Sequence, residues 1–233
     1  ILIDSGVKIF ESTEVMRVED HTAHTHLGSV KADQIIICMD KMKKDFSTAA
    51  QEVYHAQTFL SISEPLSEKD IAGLFPSDDI MCWDSMLVYS YYRLTGDRRL
   101  LLGGGSALTT FSPADVTTPR VINRVIAKFK KTFPSLHHLD FIQYWPGRID
   151  TTKDLIPIVD FDPHAPHIQY VLGCVGLPWA AFCGHYAAKR LLEPEYCHEY
   201  CMYLKLKRSY LIPFFIQRVA GKMVAFSLNN IFS

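Results

Sequence analysis

Tyr144-Trp-Pro-Gly-Arg-Ile-Asp150 and Thr151-Thr-Lys-Asp-Leu-Ile-Pro157 lead into an apolar run, Ile168 to Gly173, which opens through Val175-Gly-Leu-Pro-Trp179 into a helical pattern. A strand, a glycine-bearing turn and a helix N-terminus in that order make a backbone site for an electron-rich or anionic ligand. Amide N–H groups and the positive end of the helix converge there. Gly173 and Gly176 suit such a site, which asks for backbone rather than side-chain chemistry. Pro178 withdraws one amide donor from it.

A second cluster lies at Tyr89 to Leu94, where aromatic residues surround Arg93. With Arg99 to Gly103 on the far side of Thr95-Gly-Asp97, the stretch reads as a hairpin. Strand alternation puts Tyr89, Tyr91 and Arg93 on one face, and Ser90 and Tyr92 on the other. An aromatic ring and one cation suffice to orient a small substrate. Asp150 and Asp154 read as loop carboxylates that hydrogen bond to solvent or to a ligand's hydroxyls rather than as a general acid pair.

Other constellations read as structure. His21, His24 and His26 fall in an expected hairpin loop without a partner thiol or carboxylate at ligand spacing. Cys197-His-Glu-Tyr-Cys201 puts two thiols four apart on an expected helix without a second pair, so no metal site is expected. There is no Ser-centred elbow and no Cys-His-Asn arrangement to support hydrolysis. No GxGxxG follows a strand, and Gly103-Gly-Gly105 reads as a strand end and turn.

Composition is that of an ordinary globular protein, 48% hydrophobic and 21% charged, with a net charge of −1. The basic residues are dispersed, and the run from Lys41 to Lys44 reads as a solvated turn, so nucleic acid is not an expected partner. Six cysteines in mostly apolar surroundings lack the spacing of a secreted disulfide framework, which points to reduced thiols and a cytoplasmic location.

Around these groups, strands are expected at Ile9, at Val15 to Val18 and at Ile35 to Cys38, with His21 to Gly28 as a loop. Pro119 to Phe133 is the clearest helix, capped by Thr118 and striped by Val121, Ile122, Val125, Ile126 and Phe129. A second helix, from about Trp179 to Leu192, carries Ala180, Ala181, Gly184, Ala187 and Ala188 for close packing on a sheet. The tail from Tyr203 is apolar at helical spacing but broken by Gln217, Arg218 and Lys222. It suits packing against a further part of the protein, a partner chain or a membrane surface, and not a membrane span.

Read in order, Gly6-Val-Lys-Ile-Phe-Glu11 with Val15, Lys31-Ala-Asp-Gln-Ile-Ile-Ile-Cys38, Thr58-Phe-Leu-Ser-Ile-Ser-Glu-Pro-Leu66, the hairpin from Tyr91 to Gly105, and the segment from Tyr144 to Trp179 form a series. The series resembles the FAD-dependent D-amino-acid oxidase superfamily, in its glycine oxidase, sarcosine oxidase and gamma-glutamylputrescine oxidase branch. It covers roughly residues 5 to 193.

The resemblance implies an α/β (α+β) fold. Pieces of an FAD-binding Rossmann-like domain would lie at 1–44 and 145–195, a substrate domain of mixed or antiparallel sheet flanked by helices at 45–144, and a helical tail at 196–233. It implies FAD, held by Val15, Cys38, Gly147, Arg148, Gly173, Gly176, Leu177, Pro178 and Trp179, and a substrate pocket drawn from Tyr91, Tyr92, Arg93 and Trp145. The implied reaction oxidises the C–N bond of an amine or amino acid to an imine, which water then hydrolyses. The superfamily opens with a GxGxxG unit that this chain lacks, so a missing N-terminal part is the implied partner.

Three departures stand out. Leu177-Pro178 follows Gly176 where the branch has a small or polar residue and a glycine, and Cys38-Met-Asp-Lys41 ends its strand without the usual glycine. Trp145 stands where the glycine oxidase type has a carboxylate-clamping arginine, with Arg148 as the nearest substitute. This favours an amine or N-substituted amino acid over a simple D-amino acid. Two other readings stay open: an FAD-free binding module of the same fold, and a D-amino acid or 2-hydroxy acid dehydrogenase.

Overall fold

The computed structural model describes residues 1–42, 46–77, 80–86, 89–105, 119–174, 176–197, 199–210, 212, 214–221, 224 and 228. In chain order the strands are β1 (Val15–Glu19), β2 (Thr22–Thr25), β3 (Gly28–Lys31), β4 (Ile35–Ile37), β5 (Val53–Pro65), β6 (Cys82–Trp83), β7 (Tyr91–Leu94), β8 (Arg99–Gly105), β9 (Phe141–Thr152), β10 (Ile158–Phe161) and β11 (Ile168–Leu172). The helices are α1 (Glu68–Leu74), α2 (Arg120–Thr132), α3 (Leu177–Leu192) and α4 (Phe214–Ala220). They form two compact units, Ile1–Val53 with Thr151–Ser209, and Tyr54–Asp150 with Tyr210–Ser233. The boundaries between these units fall at 53/54, 150/151 and 209/210. The tail is shared between the units rather than standing apart.

The first unit holds two three-stranded sheets. β1, β2 and β3 form an antiparallel meander, and β4 pairs parallel to β11, which pairs antiparallel to β10. Ile35-Ile-Ile forms the edge strand β4, which buries Ile37 and half-buries Ile35 on one face while Ile36 stays exposed on the other. Ile158, Ile168, Tyr170 and Leu172 bury one face with Ile37, Met42 and Val53, while Val159 turns the other way into a cluster with Cys183, Tyr186, Ala187 and Leu204. Each such aliphatic or aromatic side chain contributes about 1.5–3 kcal/mol on burial.

Three expectations are corrected here. Gly6 to Glu11 forms no strand; the first strand starts at Val15. His21 to Gly28 is not a loop but contains β2, held by tight turns on either side, with Asp20 at φ 47° supplying the first. α3 begins at Leu177, not Trp179, and packs through Cys183, Tyr186 and Ala187, leaving Ala180, Ala181, Gly184 and Ala188 exposed. Pro178 sits in its first turn, where the missing N–H would have had no intrahelical acceptor.

The second unit is built on a five-stranded sheet of order β6-β7-β8-β5-β9. α2 covers one face with Val121, Ile122, Val125 and Phe129, close to the expected stripe, against Phe59, Leu100 and Leu102. Its expected cap, Thr118, lies outside the described residues. Gly103-Gly-Gly105 is the end of β8, the strand end expected there, while the residues that follow lie outside the described ones, and a Cβ on Gly104 would stand 3.1 Å from Val125 Cγ1 and Cγ2. The glycines let a helix and a ring approach the strand from opposite sides.

The tail starts from an anchor in the first unit. Arg208 donates to both carboxylate oxygens of Asp154, at 3.0 and 2.7 Å, and to the carbonyls of Ile156 (2.5 Å) and Pro157 (3.1 Å). The expectation of six reduced thiols is corrected as well, because Cys197 and Cys201 are joined in a disulfide. Their segment turns into a short 3-10 helix, Cys201–Leu204, rather than the expected α-helix. No described helix is long and apolar enough to cross a membrane.

Candidate functional site

Two surfaces collect the residues singled out from the sequence. In the first unit, a cavity of about 760 Å³ lies between β1, β2 and the chain around β4, lined by Val15, Arg17, Ile37, Cys38, Asp40 and Phe46 among others. Its volume falls in the range of small-molecule and cofactor sites. It brings together Val15 and Cys38. Burial, with the Cys174 thiol nearby, pushes the Cys38 thiol above its ordinary pKa and keeps it neutral.

The turn into α3 is the other part of that unit's site. Gly173 adopts φ 68°, and a Cβ on it would stand 2.9 Å from Thr152 Cγ2. Gly176 adopts φ 92° and serves as the N-cap without a side-chain cap, leaving the Leu177 and Trp179 amides at an open helix N-terminus. Pro178 brings no donor. Leu177 is 86% exposed and Trp179 38% exposed, so both first-turn side chains stand at the surface. The α3 macrodipole favours negative charge in front of these amides.

In the second unit, the face of the sheet away from α2 carries Tyr91 and Arg93. Tyr91 pairs in register with Gly103, and a Cβ there would lie 2.2 Å from Tyr91 Cζ. The Tyr91 hydroxyl hydrogen bonds to Thr58, whose hydroxyl also donates to the Gly147 carbonyl at 3.5 Å. Burial, the neighbouring Tyr89 hydroxyl and the opposing bond to Thr58 leave the Tyr91 phenol above its usual pKa. Arg93 is exposed and has no ion-pair partner among the described residues.

Tyr92 is not on this face. It pairs with Leu102 and packs edge-on against Phe129 (5.4 Å) and Phe133 (5.6 Å) under α2, as the alternation dictates. Trp145 is half-buried on β9, the edge strand, three strand spacings or about 14 Å from β7. The Trp145-Pro-Gly segment is a continuous part of β9 rather than a turn, so Arg148, three residues on, falls by alternation on the opposite face from Trp145. A Cβ on Gly147 would make only an ordinary contact, 3.8 Å from Thr58 Oγ1.

Sequence reasoning missed His55. Its Nδ1 lies 2.5 Å from Asp150 Oδ1, and the Asp150 side chain is 4% exposed, so this carboxylate is an inner partner of an imidazole and not a solvated loop group. His55 is three residues from Thr58 on β5, hence on the other face from Tyr91. Asp154 is likewise taken, by Arg208. Among the described residues no group of three His, Cys, Asp or Glu side chains could hold a metal ion.

The profile of the family described as FAD dependent oxidoreductase (DAO) matches residues 2–190. The chain belongs to that family. It is 28% identical to gamma-glutamylputrescine oxidoreductase of Escherichia coli over 197 residues, covering 81% of this chain and 43% of the relative. It is 26% identical to the probable oxidoreductase OrdL of Haemophilus influenzae, covering 75% of the chain and 40% of the relative. The chain thus spans less than half the length of these curated relatives. Glycine oxidase from Geobacillus kaustophilus (TM-score 0.70, 15% identity, 89% of this chain and 55% of that one) and L-proline dehydrogenase from P. horikoshii (TM-score 0.70, 15% identity, 94% and 57%) share the fold. The α/β class expected from the sequence is that of this DAO family member.

The residues present fit an FAD in three respects: the cavity volume, the glycine at Gly173 where a side chain would collide with Thr152, and the uncapped start of α3. Asp40, in place of a glycine after β4, adds a carboxylate to the cavity wall. A carboxylate there suits sugar hydroxyls better than phosphate.

Proposed function

We propose that this protein is an FAD-dependent oxidoreductase acting on the C–N bond of an amine or N-substituted amino acid, giving an imine that hydrolyses to a carbonyl compound and an amine. Family membership supports the flavin, and the observation that carries the substrate class is the exposed Arg93, without an ion-pair partner among the described residues, on the same sheet face as Tyr91. When bound, FAD supplies the hydride-accepting centre.

This chain's own residues supply binding and orientation. Val15 and Cys38 in the cavity wall, and Gly173, Gly176, Leu177 and Trp179 through their backbone, would hold the cofactor, with the α3 amides favouring negative charge. Pro178 shapes the turn without donating. Tyr91, fixed by Thr58, offers a ring and a hydroxyl, and Arg93 a cation for a distant acidic group of the substrate. Trp145 in place of a carboxylate-clamping arginine, with Arg148 on the other face of β9, leaves a simple α-amino acid without a bidentate partner.

A substrate screen on the intact protein tests this. Amines and N-substituted amino acids should be oxidised faster than simple D-amino acids, and Arg93→Ala should raise KM about 5- to 150-fold for acidic amines with less effect on kcat, as loss of a binding contact worth about 1–3 kcal/mol does. Turnover confined to simple D-amino acids or 2-hydroxy acids would favour the dehydrogenase reading instead.

A further inference from the structure

Three thiols of the first unit converge on the turn that opens α3. Cys38 closes β4, Cys174 follows Gly173, and Cys183 lies in the second turn of the helix. Cys183 is 0% exposed within the cluster of Val159, Tyr186, Ala187 and Leu204, and Cys174 packs half-buried against the same cluster. The two thiols hydrogen bond to each other, and Cys174 Sγ also approaches the Leu172 carbonyl at 3.8 Å.

We propose that Cys174 and Cys183 form a peroxide-reactive dithiol site, in which Cys174 is oxidised by hydrogen peroxide and Cys183 closes a disulfide onto it. The geometry sets the order of events. Cys174 is the partly exposed member of the pair, and Cys183, 0% exposed, is hydrogen bonded to it. The bond from Cys183 holds the Cys174 thiol below its ordinary pKa against the effect of burial. The same bond, burial and the neighbouring charge push Cys183 up. The more ionised thiol is the nucleophile.

In the first step the Cys174 thiolate attacks one peroxide oxygen. An S–O bond forms, the O–O bond breaks, and the departing hydroxide takes up a proton as water. In the second, Cys183 loses its proton and attacks the Cys174 sulfur. An S–S bond forms, the S–O bond breaks, and a second water leaves. Two thiols are oxidised by two electrons, and one hydrogen peroxide is reduced to two waters. The product ties the Gly173–Gly176 turn to the body of α3. The site stands on the thiol geometry alone and does not depend on the substrate reading above.

Treatment of the reduced, intact protein with equimolar hydrogen peroxide, followed by differential alkylation and peptide mapping by mass spectrometry, decides it. The expected result is a Cys174–Cys183 link that persists in Cys38→Ser. In Cys183→Ser the link is replaced by a sulfenic acid at Cys174 that dimedone traps. Cys174 still alkylatable, oxidised past the sulfenic acid without a link, or joined instead to Cys38, Cys197 or Cys201 would overturn the proposal. Should Cys183→Ser fail to fold, the wild-type map decides alone.

Discussion

The ring of Tyr91 occupies the space that any side chain on Gly103 would need, since a Cβ there would stand 2.2 Å from Tyr91 Cζ and 2.6 Å from its hydroxyl oxygen. The ring crosses β8 at this glycine and its hydroxyl bonds to Thr58 on β5, so a residue with no side chain sets where an aromatic residue on the face away from α2 is held. Gly103→Ala should displace Tyr91, destabilise the fold by about 1–3 kcal/mol as overpacking does, and raise the KM for amine substrates. Thermal unfolding together with steady-state kinetics would check it. An unchanged KM would separate Tyr91 from substrate.

Gly173 and Gly147 should behave differently although both flank the expected cofactor region. Gly173→Ala must hold a Cβ at φ 68° and 2.9 Å from Thr152 Cγ2. The left-handed backbone alone costs about 1–2 kcal/mol. Gly147→Ala meets only Thr58 Oγ1 at 3.8 Å and should stay within about 0.5 kcal/mol of wild type, as uncrowded substitutions do. Urea midpoints of the two variants measure the contrast.

Arg208 should prove the strongest single attachment of the segment that follows α3. Its side chain is 5% exposed, and Asp154 is 22% exposed beneath it. Arg208→Ala removes the bidentate partner of that carboxylate, which keeps the Thr152 hydroxyl and the Ile156 amide as donors, and should cost about 1–3 kcal/mol, as loss of a hydrogen bond to a charged group does. Limited proteolysis should then cut after Lys205 or Lys207 at lower protease concentration than in wild type.

Asp162 gives a pH dependence with a defined sign. Burial would raise its pKa, but N–H bonds from His164 (2.8 Å) and Ala165 (3.1 Å) and the Tyr170 hydroxyl (2.8 Å) outweigh it and hold the carboxyl below its usual value. A depressed folded-state pKa contributes stability that is complete above the unfolded value of about 3.9 and is lost as pH falls through the folded value. The stability difference between wild type and Asp162→Asn should therefore be constant near neutrality and shrink below about pH 4. On the alkaline side, burial pushes Tyr170 up to about 12, the bond from Ser47 opposing and Asp162 adding to the rise. Its contribution is present below the unfolded value of about 10 and fades as pH climbs through that folded value. Tyr170→Phe should remove that alkaline loss.

Elements with a strong local pattern were legible in the sequence. The α2 stripe, the Thr95-Gly-Asp97 hairpin, the β4 isoleucines and the split of Tyr91 and Arg93 from the opposite face all follow from periodicity. Tyr92 shows the cost of choosing residues by neighbourhood rather than by face, since its own alternation already sent it under α2. β2 was hidden because polar His and Thr residues fill a meander strand that lies half-exposed. His55–Asp150 and Arg208–Asp154 join residues 95 and 54 positions apart, and no local spacing signals such pairs. The Cys197–Cys201 disulfide was missed because the pair was read on a helix, where the structure has a turn.

The central claim is that this DAO family chain holds FAD through the β4 cavity and the Gly173–Gly176 turn. A visible absorption spectrum of the intact protein, taken after saturation with FAD and desalting, tests it most directly, with Gly173→Val alongside. Oxidised-flavin bands that stay with the wild type, bleach anaerobically when an amine is added, and are lost from Gly173→Val are the predicted result. A wild-type protein that emerges colourless would contradict the account and leave an FAD-free binding module as the reading of this fold.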